Sequence, residues 1–305
     1  MESIRKISSL IRSQPVVEGA GVHLKRVFGH GHSPQFDPFL LLDDFHSDQP
    51  ELYLKGFPWH PHRGIETITY VLHGRVEHGD SMGNKGVIES GDIQWMTAGS
   101  GIIHQEMPKG DGDRLLWGFQ LWANLPASHK MMPPRYQEID RLDVPELTLE
   151  DGVKIKIICG KIGSVQGPVE NIVIAPEFLD VTIPPETTWN HRVSPEYTVF
   201  AYFIDGKIPF FSSQSNPHLF QNSHEVSSLS DSFIHPETLA MFGPGEIISL
   251  QTADNSARFL LISGMPLREP VAWHGPIVMN TEEELRTALE EYRDGTFIKN
   301  HNTEN

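Results

Sequence analysis

Short runs in which β-branched and aromatic residues alternate with polar ones recur along the chain, each closed by glycine, proline or an Asn/Asp turn. The clearest, residues 65–72 (IETITYVL), sets Ile65, Thr67, Thr69 and Val71 against Glu66, Ile68, Tyr70 and Leu72 and stops at Gly74, which predicts a strand followed by a turn. Residues 16–28, 37–45, 93–96, 101–107 and 114–122 read as strands in the first half. In the second half the same reading falls on 153–159, 171–174, 179–183, 197–205, 246–250 and 258–263. So many short strands at such spacing specify a sandwich or barrel, so the fold class is all-β. One helical pattern stands out, at about 281–294. There Thr281 and Glu284 form a capping box ahead of the stripe Leu285, Ala288, Leu289 and Tyr292. The Pro-rich stretch from Leu125 to Arg135 divides the chain into two similar halves, 1–135 and 136–305. Within the second half, residues 212–237 are rich in Ser, Asn and His and lack periodicity, so they read as a long surface loop.

Composition narrows the function. The 305 residues are 38% hydrophobic and 21% charged, too apolar for a disordered chain. With 24 Lys+Arg against 40 Asp+Glu the net charge is −16, which repels phosphate backbones and anionic lipid and argues against direct nucleic-acid binding. No apolar stretch approaches the roughly 20 residues of a membrane span, and the first residues carry no continuous apolar segment of a secretory signal. The single cysteine, Cys159, continues the alternation of Val153, Ile155 and Ile157 and reads as a buried core thiol. The expectation is a soluble cytoplasmic protein.

Histidine carries the chemistry. His30-Gly31-His32 sits among Gly and Ser without an acidic partner and reads as a solvated loop. His60-Pro61-His62 differs, because both imidazoles project to one side of an extended segment. A second extended segment, residues 101–107 (GIIHQEM), repeats that spacing with His104 and Glu106. Two such strands facing each other in a small barrel bring three imidazoles and one carboxylate to a point. That donor set suits Fe, Mn, Ni, Cu or Zn and not Ca or Mg.

The same residues lie in long distinctive blocks. Residues 57–67 (FPWHPHRGIET) and 91–108 (GDIQWMTAGSGIIHQEMP) resemble the signature blocks of the pirin family, supported by 37–45 (DPFLLLDDF), 120–126 (QLWANLP) and 275–281 (GPIVMNT). The likeness is dense in the N-terminal half and thin in the C-terminal half. It implies a bicupin, two cupin (double-stranded β-helix) barrels packed together with a short C-terminal helix. On that reading 1–135 is the metal-binding barrel and 136–305 a barrel without a metal motif. The resemblance implies one metal, usually iron, on His60, His62, His104 and Glu106, the same four residues. Co(II), like the other divalent metals named above, would fit that set. His60, His62 and Glu66 also match the general cupin pattern, which nominates Glu66 as a further ligand; since Glu106 supplies the carboxylate in the pirin pattern, Glu66 is otherwise a neighbour of the centre or a strand-face residue. Arg63 would contact an anionic ligand or pair with an acid.

Four protein ligands on an octahedral metal leave two positions, enough for substrate and O₂ together. Similarity to bacterial pirin-like quercetin 2,3-dioxygenases implies ring cleavage of a flavonol with release of CO, Glu106 taking the flavonol hydroxyl proton. The alternative from a different class is a metal- or redox-dependent regulatory protein without turnover, a transcriptional co-regulator or a binder of a metabolic enzyme.

Overall fold

A computed structural model describes residues 3–32, 34–210 and 233–299. Residues 212–232 of the expected surface loop 212–237 lie outside the described residues, while Phe233–Ile234 forms a short strand paired with Ile208–Pro209. The chain is mostly β-strand with one α-helix among the described residues.

It forms two compact units, 14–141 with 267–305 and 1–13 with 142–266. The division therefore does not fall once near residue 135. The N-terminal strand Ile7–Arg12 pairs antiparallel with Thr238–Phe242, and the C-terminal segment joins the unit of the first half. Such exchanges depend on pairing across hundreds of residues, which a local alternation does not encode.

The unit 14–141 with 267–305, called here the histidine unit, contains a seven-stranded and a four-stranded antiparallel sheet. The larger sheet runs Arg135–Ile139, Ile93–Thr97, Ile65–His73, Leu116–Asn124, Phe39–Ser47, Val22–Phe28 and Gln14–Glu18 in spatial order. The smaller runs Phe57–His62, Ile102–Lys109, Arg75–Asp80 and Lys85–Ile88. Hydrogen bonds from Thr69 and Gln120 to Glu106, and from Gln94 to His78, join the inner faces of the two sheets. The segment expected as one strand over 16–28 is split, because Gly19 and Gly21 take positive φ and turn the chain between two strands. The helix Glu282–Arg293 starts at the expected capping box and buries Leu285 and Ala288 against Ala272, Ile277, Met279 and Phe297. Tyr292, expected in that stripe, is instead exposed and meets Phe297 edge-on.

In the other unit, called the apolar unit, a seven-stranded sheet includes Lys154–Cys159, Glu177–Ile183, Ala257–Gly264 and Thr198–Gly206 as successive neighbours. A two-stranded ribbon, Thr188–Arg192 with Ile247–Gln251, contributes Trp189, Ile248 and Leu250 to the same core. Residues 171–174, expected as a strand, are not one. Asn171 and Ala175 adopt φ of 58° and 45°, so the β-branched run is bent into a turn. Cys159 is buried, with its thiol toward the carbonyls of Val169 and Pro176.

Candidate metal centre

The strand Phe57–His62 is the outer strand of its sheet, which is where prolines at 58 and 61 can be accommodated without breaking an inner ladder. Period-two alternation then sends His60 and His62 to one face. His60 lies directly opposite His104 on the strand Ile102–Lys109, and His104 lies opposite Asp80. Immediately after Arg63 the chain must reverse at Gly64, whose φ is 77° and where any Cβ would collide with the Val278 carbonyl.

The three imidazoles converge. Ring centroids of His60, His62 and His104 are 4.4–5.0 Å apart, and one ring nitrogen from each lies within 4.8 Å of the other two. His60 Nδ1 donates to the Pro58 carbonyl at 2.9 Å, and His62 Nδ1 donates to the Pro276 carbonyl at 3.2 Å. Each carbonyl fixes its ring in the tautomer whose Nε2 carries a lone pair. Those two Nε2 atoms face each other at 3.0 Å, close enough for one cation to be shared between them. His104 is buried with neither ring nitrogen hydrogen-bonded. Burial, reinforced by the neighbouring imidazoles, pulls the His62 pKa well below the ordinary value, and burial takes His104 down to about 4. All these features fit a centre that receives a metal ion on neutral nitrogen donors.

Glu106 flanks the cluster. It is buried, and its Oε2 stands 4.0 Å from His104 Nε2. Thr69 Oγ1 donates to Oε1 at 3.2 Å, and Gln120 Nε2 donates to both carboxylate oxygens at 3.2 and 3.0 Å. Glu106, Gln120, Thr69 and Asp43 also form the polar wall of a small cleft that opens to solvent. Leu24, Phe45, Val76 and Leu116 supply its apolar wall.

Glu66 and Arg63 do not join the histidines. Thr69 points toward Glu106, so Glu66, three positions earlier on the strand, falls on the opposite face. There it accepts the Thr97 hydroxyl at 2.6 Å, and burial raises its pKa. Of the two readings for Arg63, the acid partner is the one found. Its guanidinium pairs with Glu291 at 2.7 Å, donates to the Phe297 carbonyl at 2.8 Å and stacks 4.2 Å over the Phe297 ring. Arg63 thereby ties the strand that carries His60 and His62 to the C-terminal segment.

Sequence reasoning missed Gln120, Thr69, His78, Asp80 and the Pro276 carbonyl. Gln120 and Pro276 do lie in the supporting blocks 120–126 and 275–281, and Thr69 holds an inward slot of the clearest alternating strand. His78 and Asp80 form their own pair at strand spacing, opposite Glu106 and His104.

Two facing antiparallel sheets with a histidine cluster between them define a cupin with a candidate transition-metal centre. The N-terminal pirin domain model matches residues 21–123 and the pirin C-terminal cupin domain model matches 178–298. The chain belongs to the pirin family. It is 40% identical over 296 residues to a pirin-like protein of Caulobacter vibrioides, covering 96% of this chain and 99% of that one. Pirin of Homo sapiens is 35% identical over 296 residues, covering 96% and 94%. The crystal structure of a quercetin 2,3-dioxygenase from Acinetobacter baumannii superposes with a TM-score of 0.83 at 29% identity, covering 97% of this chain and 99% of that one. No described helix is long and apolar enough to cross a membrane.

Proposed function

We propose that the protein is an iron-dependent dioxygenase that opens quercetin-type flavonols with O₂ and releases CO. The observation that carries this reading is the placement of Glu106, 4.0 Å from His104 of the three-histidine cluster and in the wall of a largely apolar cleft. Likeness to the Acinetobacter baumannii quercetin 2,3-dioxygenase supports the substrate class.

His60, His62 and His104 would hold the metal through nitrogen, with Glu106 as the fourth ligand. Three neutral imidazoles and one carboxylate would leave a divalent ion with a net charge of about +1. Iron bound there supplies Lewis acidity and a path for electrons between an electron-rich substrate and O₂. The apolar wall offers Leu24, Phe45, Val76 and Leu116 as a surface for the flat aromatic rings. Glu106 accepts the proton of the flavonol hydroxyl on binding and returns it to the product. Hydrogen bonds from Gln120 and Thr69 hold its carboxyl group in place before substrate arrives.

The test is aerobic turnover of quercetin by iron-loaded protein, followed by loss of flavonol absorbance and by trapped CO, with His104→Ala as control. Turnover abolished in the variant supports the reading. Tightly bound iron without turnover contradicts it and leaves the metal-dependent regulatory protein as the function to pursue.

A further inference from the structure

Both oxygens of Glu106 are bound by one amide, and the orientation of that amide is itself determined. We infer that Gln120, oriented by Trp122, is the positioning residue that aims the Glu106 carboxylate at the histidine cluster. The inference rests on Glu106 acting as a metal ligand, as proposed above.

Gln120 and Trp122 stand two residues apart on the strand Leu116–Asn124 and so project to the same face. An indole nitrogen only donates. Trp122 Nε1 donates to Gln120 Oε1 at 3.0 Å, so the amide oxygen must face the indole and the amide nitrogen must face away from it. That nitrogen, which also only donates, meets Glu106 Oε2 at 3.0 Å and Oε1 at 3.2 Å. Turning the amide over would lose the indole bond and set an oxygen against the carboxylate, so the chain Trp122 to Gln120 to Glu106 has one satisfied direction. Thr69 Oγ1 braces Oε1 from a neighbouring strand at 3.2 Å.

Trp122 also reaches the other side of the centre. Its ring stands perpendicular to the His62 ring with centroids 5.1 Å apart. One indole therefore registers the carboxylate, through Gln120, against the imidazole it touches directly. Residues that hold metal ligands in place contribute about 10–100-fold to metal affinity, and this couple holds two ligands at once.

Anaerobic titration of the full chain with Co(II), read by its visible absorption spectrum and by its dissociation constant, tests the inference. Gln120→Met keeps the length of the side chain and removes both donors. It is expected to weaken Co(II) binding at least about tenfold and to change the band shape in the same sense as Glu106→Gln. Trp122→Phe keeps a ring against His62 but frees the amide to turn, and is expected to give the same spectral change at smaller amplitude. Thermal midpoints of the metal-free variants separate these effects from loss of fold. Wild-type affinity and spectrum in both Gln120→Met and Trp122→Phe, against a Glu106→Gln variant that alters both, would overturn the positioning role alone. A Glu106→Gln variant indistinguishable from wild type would overturn the fourth-ligand reading and the positioning role with it. Neither readout involves flavonol turnover, so a failed dioxygenase assay leaves a positive result standing.

Discussion

The two units use the inward positions of their large sheets in opposite ways. Across the histidine unit one register row reads Arg26, Asp43, Gln120, Thr69, Gln94 and Glu138, each residue opposite the next on its neighbouring strand. Facing it, the small sheet carries His60, His104 and Asp80 in one row and Glu106 and His78 in the next. Across the apolar unit the corresponding rows are Ile155, Val181, Phe259 and Phe203, then Ile157, Leu179, Leu261 and Ala201. All eight belong to a single buried core. A sheet interior filled with branched and aromatic side chains stabilises through burial and close packing. One lined with polar groups must satisfy each of them, as Gln120, Thr69 and Gln94 do with Glu106 and His78. Among the described residues, one unit lines the interior of its large sheet with polar and ionisable groups, and the other fills it with branched and aromatic side chains.

Substitutions that act on one interior should leave the other property unchanged. The largest expected effect on metal is from His104→Ala, which removes one of three nitrogen donors and should reduce Fe(II) or Co(II) affinity by more than about a hundredfold. Calorimetric titration checks this, and the thermal midpoint of the metal-free variant should stay close to wild type. The largest expected effect on stability is from Phe259→Ala in the apolar unit, which opens a cavity and should cost about 3–5 kcal/mol in denaturant unfolding. Metal affinity per folded molecule should be unchanged there.

Next in size is a pH effect confined to the metal-free protein. The His104 pKa lies at about 4 in the folded chain against an ordinary 6.5, so the unfolded chain binds more protons between those values. Metal-free stability should therefore fall as pH drops from about 6.5 to about 4, by up to about 3 kcal/mol from this group. Excess metal should suppress the loss over the upper part of that range, because bound metal excludes the proton. Unfolding midpoints against pH, with and without Co(II), measure it.

The smallest effect expected is from Arg63→Leu, which leaves the Phe297 carbonyl without its guanidinium donor and Glu291 with Lys299 as its remaining cation. A loss of about 1–3 kcal/mol should appear as faster amide exchange in the helix Glu282–Arg293, with a modest drop in metal affinity through the His62–Pro276 bond. Unchanged exchange in that helix would contradict the role given to Arg63.

How far the centre was legible follows from the range of each signal. His60 and His62, and likewise His104 and Glu106, are two apart on extended strands, so their shared faces follow from local geometry. Glu66 shows the limit of spacing alone. It satisfies a sequence pattern, yet strand parity turns it to Thr97, and the parity becomes visible only once Thr69 is seen to face Glu106. Gln120 was hidden because a neutral amide in an alternating strand looks like any half-buried polar residue. The Pro276 carbonyl was hidden because backbone acceptors leave no trace in side-chain chemistry. The capping box at Thr281 was local and was found. The pairing of Ile7–Arg12 with Thr238–Phe242 was not, since nothing near either segment encodes the other.

The most direct test of the central claim, that one interior of this pirin-family protein is built to hold a catalytic metal, is anomalous diffraction at the iron edge from crystals grown with Fe(II) without oxygen. The expected result is one strong peak within bonding distance of His60 Nε2, His62 Nε2 and His104, with the Glu106 carboxylate completing the set and no peak in the apolar unit. A map without a peak at the three histidines, or with iron bound elsewhere, would contradict it.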